Sequence, residues 1–232
     1  MQISKSTIEV LRNFAEINDS ILIKPGDRLV AFHNGGTVLA NAKIEDNFDA
    51  RFGIYDLASF LSLTSLIDNP DIDTSNSDSH VVISGNGSKF KYFVADESLI
   101  NVPPQDELQI PSQDIQFNLD EDSLKRVLRA AAVFVLDTVT IFSSEGKLYF
   151  GVSDPNQKNS DSFSVEIGEY SGPEIKLVIS ISKLTLMPGS YAVTISHSTG
   201  QTIILFDHLD RDLRYWTAPE ADSYVEPVSK AA

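Results

Sequence analysis

Apolar and polar positions along this chain recur with two different periods, and the changes of period mark its elements. Residues 4–18 repeat at helical spacing: Ile8, Leu11, Phe14, Ala15 and Ile17 fall on one broad side, and Lys5, Glu9, Arg12 and Glu16 on the other. Ser6 and Glu9 have the spacing of a capping box, which predicts a helix start there. Strands are predicted over 20–24 and 28–32 about the turn Pro25-Gly26-Asp27. Asn34-Gly35-Gly36 then sends a third strand back through 37–44. A strand at 48–55 leads to Asp56, which suits the cap of a short helix running to about Ile67, with Leu57, Phe60, Leu61 and Thr64 inward. The stretch 69–79 is polar and turn-rich. A hairpin follows over 81–84 and 89–95 about Gly85-Asn86-Gly87. Residues 101–113 hold Pro103, Pro104 and Pro111 and no period, which predicts an extended linker.

The second half opens with a strand at 114–118 that turns into a helix at 121–135. Asp120 is its expected cap, with Glu121 and Asp122 in the first turn, where acid suits the helix dipole. Leu124, Val127, Leu128, Ala131 and Val135 share the inward side, while Arg126 and Arg129, flanked by Lys125, lie opposite. Then come a hairpin over 138–143 and 147–152, a polar loop at 154–160, strands at 163–167 and 175–179, and one or two helical turns within 180–186. Pro188-Gly189 closes that segment. A hairpin over 191–196 and 201–206 crosses Ser198-Thr199-Gly200, 213–217 forms a last strand, and 219–232 reads as a frayed tail. Tyr215-Trp216 fits either a partner-facing aromatic pair or a final core strand. The two halves repeat one order of elements without repeating a sequence. Together they predict an α+β protein of two similar domains, 1–110 and 111–232, each an antiparallel sheet with helices on one face.

Composition narrows the function. The chain has 232 residues, 42% of them hydrophobic, which is enough for a sizeable core. Against 18 basic groups stand 33 acidic ones, a net charge of −15. A polyanion is repelled by such a chain unless its basic groups gather on one surface. The absence of cysteine excludes a disulfide scaffold, a thiol nucleophile and a thiolate metal site, and fits an intracellular protein. The opening residues do not read as a signal peptide, and no apolar run reaches the roughly 20 residues that span a bilayer, so no membrane partner is expected.

No catalytic constellation is visible, and no cofactor or metal is expected. His33, His80, His197 and His208 sit in or beside predicted turns, share no ligand spacing, and read as solvated surface. His208, Asp210 and Asp212 alternate, but they read as an acidic loop rather than a ligand set. Asp71, Asp73 and Asp78 lack the glycine and the closing glutamate of a calcium loop. Gly85-Asn86-Gly87 opens no helix, as a phosphate loop would, and no serine elbow is present. What stands out is the basic side of the helix at 121–135. Its Lys and Arg side chains suit phosphate contact, and equally suit plain solvation of an exposed face.

The particular residues resemble a family. The opening ISKSTIEVLRNFAEINDSILIKPG, the segment FGIYDLASFLSLTSLI, the helix LDEDSLKRVLRAA, and the stretches IGEYSG and MPGSYAV resemble, in order and over nearly the whole length, the sliding clamps of T-even-type bacteriophages. That resemblance implies a DNA-clamp fold: a homotrimeric ring with helices lining a hole for duplex DNA, bound without sequence specificity. It further implies opening by an ATP-driven clamp loader, tethering of the phage DNA polymerase through its C-terminal tail, a mobile role in late transcription, and action in the host cell cytoplasm. An apolar pocket for the polymerase tail would lie on the second domain near the linker, its residues unassigned. By matching position the resemblance gives a DNA-facing role to Lys5 and Arg12 on the first helix, to Lys125, Arg126 and Arg129 on the second-domain helix, and to Lys183 on the short helical turn. Glu9 and Glu16 interrupt the first helix's basic stripe and depart from that pattern. The alternatives are a phage structural or assembly protein with no DNA channel, and a small carbohydrate- or nucleotide-modifying enzyme.

Overall fold

The computed structural model describes residues 1–154, 161–198 and 200–226. The polar loop expected at 154–160, the turn through Thr199 and the tail beyond 226 lie wholly or partly outside the described residues. Two compact units make up the chain. The first holds Met1–Leu108 and Arg211–Arg214, the second Gln109–Asp210 and Tyr215–Ala232.

The first unit begins with α1 (Lys5–Ala15), whose buried stripe is Thr7, Val10, Leu11 and Phe14. Its cap is Ser4 rather than Ser6: the Ser4 hydroxyl accepts the Thr7 amide at 3.1 Å. The helix therefore starts earlier than the capping-box spacing suggested, and Glu9 is released from any capping role. Next come β1 (Ile21–Ile23), β2 (Gly26–Phe32), β3 (Val38–Phe48) and β4 (Phe52–Ile54). Antiparallel pairs join β1 to β4 and β2 to β3. Asp56 caps α2 (Leu57–Thr64) by accepting the Ser59 amide at 2.8 Å. A three-stranded antiparallel sheet follows, in the order β5 (Asp71–Asp73), β6 (His80–Gly85), β7 (Ser88–Phe93). The strand β5 lies inside the stretch expected to be only turns. Its one apolar residue, Ile72, is 1% exposed and pairs with Ile83, and a single apolar residue gives no period to detect. The linker carries neither helix nor strand over 101–113. Its Asp106 is tied to this unit by Lys24 at 2.7 Å and by the Asn41 side-chain amide at 2.9 Å.

The second unit runs β8 (Ile115–Leu119), α3 (Glu121–Phe134), β9 (Thr138–Ser144), β10 (Lys147–Ser153), β11 (Ser162–Glu169) and β12 (Ile175–Ser180). A single 3-10 turn at Ile181–Lys183 stands where the first unit has α2. Ser180 makes no side-chain cap there, unlike Asp56, which is one reason the segment stays so short. Then follow β13 (Tyr191–Ser198), β14 (Gln201–His208), β15 (Leu213–Thr217) and β16 (Tyr224–Val225). One antiparallel sheet has the order β11-β10-β9-β12-β16, and β13 is paired between β8 and β14.

Two expectations change in this unit, and one open alternative is decided. The tail is ordered through β16, which pairs Val225 with Ile175 and Tyr224 with Lys176, while the Ser223 hydroxyl accepts the Val178 amide at 2.9 Å. Tyr215 and Trp216 are core residues, 1% and 3% exposed, and the Tyr215 hydroxyl accepts the Met187 amide. Val135 does not face inward. It closes α3 in the left-handed region at φ 58°, which turns its side chain out to 89% exposure.

Candidate nucleic-acid interface

The charged faces of α1 and α3 follow from which side each helix buries. On α1 the stripe Lys5, Glu9, Arg12 and Glu16 lies opposite the core, all four exposed. At 3.6 residues per turn these positions fall within about 60° of one another, so each acid is a neighbour of a base. No Lys5 or Arg12 ion pair forms among the described residues. Glu9 is instead held by Arg211 at 3.6 Å.

On α3 the inward residues are Ser123, Leu124, Val127 and Ala131, and Lys125, Arg126 and Arg129 are exposed. Lys125 meets Glu121 at 2.5 Å and Arg126 meets Asp122 at 3.4 Å, each one helical turn apart with the acid N-terminal, the better orientation. Arg129 makes no ion pair among the described residues. Such exposed pairs are weak, about 0.3–0.5 kcal/mol, so phosphate can displace them. Asp120 anchors the helix start. Its carboxylate accepts the Ser123 hydroxyl at 2.7 Å and the Ser123 amide at 2.8 Å. The hydroxyl, then the amide, holds that carboxyl below its ordinary value.

Lys183 stands apart from these five. Its side chain is only 15% exposed, pairs with Glu220 at 2.8 Å and donates to the Ala218 carbonyl at 3.3 Å. It is committed to holding the chain after β15, and it presents no cation to a ligand. The helix expected to display it is one 3-10 turn long.

Arg211 was not anticipated, because it sits between Asp210 and Asp212 in what reads as an acidic loop. Its backbone is fixed on the C-terminal side. The Asp212 carbonyl accepts the Lys43 amide at 2.8 Å, the Asp212 carboxylate takes the Arg28 guanidinium at 2.7 Å, and Leu213 is 1% exposed. Beside it, Ser6, Val10, Lys43, Ile44, Glu45 and Arg211 help line an open groove of about 630 Å³.

The remaining polar groups do structural work. His208 is buried rather than solvated: Nδ1 accepts the Asp210 amide, and Nε2 faces the Pro188 carbonyl, each at 3.1 Å. Its ring leaves no room for a Cβ at Gly189, which would come within 2.1 Å and which already sits at φ +148°. His33 and His197 are exposed and bound to neighbouring hydroxyls. No group of three or more His, Asp or Glu with metal-holding geometry occurs among the described residues. No helix of the described residues is long and apolar enough to cross a membrane.

Known proteins give this geometry its context. Residues 4–101 match the family described as DNA polymerase processivity factor, and residues 116–221 match the family described as gp45 sliding clamp, C terminal. The sliding clamp of Vibrio phage KVP40 is 30% identical over 228 residues, covering 95% of this chain and 100% of that protein. That of Escherichia phage RB69 is also 30% identical over 228 residues, covering 96% and 98%. A solved structure of A. fulgidus PCNA, bound to the C-terminal region of FEN-1, shares the fold with a TM-score of 0.67 at 17% identity, covering 94% of this chain and 96% of that one. The fold is thus the α+β DNA-clamp fold, with two similar sheet-and-helix domains. With relatives this similar along its whole length, the chain belongs to the sliding clamps of T4-type bacteriophages, non-catalytic factors that tether a polymerase for processive DNA synthesis.

Proposed function

We propose that three copies of this chain close head-to-tail into a ring around duplex DNA, with Lys5, Arg12, Lys125, Arg126 and Arg129 on its inner wall. The halves 1–110 and 111–232 act as its two clamp domains. The observation that carries this is that Lys5 and Arg12 on α1 and Lys125, Arg126 and Arg129 on α3 are all exposed, in a chain whose net charge is −15. A ring needs only weak phosphate contacts, because topology retains the DNA, and such contacts are blind to sequence. The acidic exterior disfavours DNA wrapped on the outside.

Two open sheet edges support the closed trimer. β7 is an edge strand that carries exposed Lys89 and Lys91, and β11 is an edge strand that carries exposed Glu169 and Glu166, the latter already paired with Lys147 at 2.8 Å. Each has exposed apolar residues on the helix beside it. Leu63 and Leu66, 40% and 76% exposed, lie on or just after α2, whose Phe60 packs on Tyr92 of β7. Val133 and Val135, 77% and 89% exposed, end α3, which lies along β11. Unpaired edges of opposite charge invite pairing between copies, and a head-to-tail contact that closes gives a cyclic oligomer. The ring is opened by an ATP-driven loader, binds the C-terminal tail of the phage polymerase, and serves late transcription as a mobile activator. Its place of action is the host cell cytoplasm.

Mass measured across a dilution series tests the ring. A trimer is expected at micromolar concentration, dissociating on dilution and more readily as salt screens the β7 and β11 charges. A stable monomer under those conditions removes the ring and favours a structural protein without a DNA channel.

A further inference from the structure

We infer that Arg211 is a positioning residue for DNA: it engages Glu9 and so leaves Lys5 and Arg12 free to meet phosphate. This rests on the reading of α1 as a DNA-facing helix. Glu9 sits one turn from Lys5 and less than one turn from Arg12, on the same stripe. In isolation α1 would pair its own charges. Lys5 and Glu9 have i,i+4 spacing, and Glu9 and Arg12 have i,i+3 spacing. Neither pair forms among the described residues, and the Arg211 guanidinium lies 3.6 Å from the Glu9 carboxylate instead.

The loop that delivers Arg211 is built rather than incidental. The neighbouring Asp212 is held through its carbonyl by the Lys43 amide at 2.8 Å and through its carboxylate by Arg28 at 2.7 Å. The Leu213 amide donates to the Arg211 carbonyl at 2.9 Å, and Leu213 is buried beyond it. A fixed backbone aims an otherwise mobile side chain, which reduces the entropy cost of the pair. The result is a shift of α1's exposed stripe from neutral to net positive. Without Arg211 its exposed stripe is neutral, two bases against two acids. With it the stripe has a third base, and its central acid is engaged. Glu16 remains, set C-terminal to Arg12, the weaker orientation for an i,i+4 pair.

The test uses the full-length protein and a fluorescent linear duplex of about 30 base pairs, which threads a ring without a loader. Anisotropy is read at low and moderate salt. Arg211→Gln is expected to weaken binding about two- to threefold, and Glu9→Gln to leave it unchanged or tighten it. In the Glu9→Gln background, Arg211→Gln is expected to have no further effect, since the carboxylate it engages is gone. An Arg211→Gln loss that persists undiminished in that background means Arg211 touches DNA itself, and overturns the positioning role. No loss from Arg211→Gln alone overturns it too. Trimer mass and melting temperature of each variant separate these results from a folding defect. A Lys5→Glu, Arg12→Glu variant that binds the duplex normally overturns the DNA-facing reading of α1, a different failure with a different signature.

Discussion

The helices α1 and α3 hold equivalent places in the order of the two units, yet they reach an exposed basic face by opposite means. Helix α3 carries its counter-charges within itself. Glu121 and Asp122 occupy the first turn, satisfy the helix dipole and meet Lys125 and Arg126 one turn later. Helix α1 has no acid in its first turn and receives its correction from outside, from Arg211 on a loop near the far end of the chain. The difference shows that charge on a helix face is not a property of the helix alone. A stripe that looks mixed in sequence becomes basic when the fold supplies a partner for the wrong charge.

The contrast extends to the core and to the caps, and each level can be broken separately. The largest effect is expected in packing. Phe14 on α1 is fully buried, whereas α3 buries only smaller side chains, Val127 and Ala131 among them. Phe14→Ala is expected to cost about 3–5 kcal/mol and Val127→Ala about 2 kcal/mol, read from urea midpoints at constant slope. Equal losses would remove the distinction between a helix whose buried stripe includes a large aromatic side chain and one whose stripe holds only smaller residues.

Next in size is charge reversal. Arg126→Glu with Arg129→Glu on α3, and Lys5→Glu with Arg12→Glu on α1, are each expected to lower retention on circular DNA about tenfold at moderate salt while trimer mass holds. Processive synthesis that matches the parent after one of these reversals takes that helix off the DNA wall and leaves the other.

The smallest effect is at the caps. Ser4→Ala and Asp120→Ala are each expected to cost about 1 kcal/mol at neutral pH. Only the second depends on acid. In the folded protein the Asp120 carboxyl is held below its ordinary value by Ser123, its hydroxyl first and then its amide. A depressed carboxyl contributes stability that is complete above the unfolded value and lost as pH falls through the folded one. The gap between Asp120→Ala and the parent should therefore close below about pH 4, while the Ser4→Ala gap stays open. Urea midpoints at neutral and acid pH decide it, and parallel closure for both variants would deny the two caps their different chemistry.

Much of this was legible in the sequence, wherever a period ran long enough. The buried sides of α1 and α3, the Asp56 and Asp120 caps and most hairpins follow from local pattern. Most of the misses share a cause: they depend on partners distant in sequence. β5 is a strand because β6 pairs with it, although only Ile72 among its residues is apolar. β16 is ordered because β12 has a free edge for it. Ser4 outcompetes Ser6 as a cap through the position of the buried stripe, which begins at Thr7. Lys183 looked like one more exposed cation until Glu220 and the Ala218 carbonyl took it. Arg211 was hidden by its acidic neighbours, and no local pattern points from it to Glu9.

The placement of Arg211–Arg214 in the first unit also bears on how the protein is made. A ribosome releases the residues of α1, β2 and β3 early, but the loop that occupies Lys43 and Arg28 and contributes Leu213 emerges only near the end of translation. The first unit must wait, incompletely finished, for nearly the whole message to be read. A gene divided after Leu108 would separate the first unit from the Asp212 contacts to Lys43 and Arg28 that complete it.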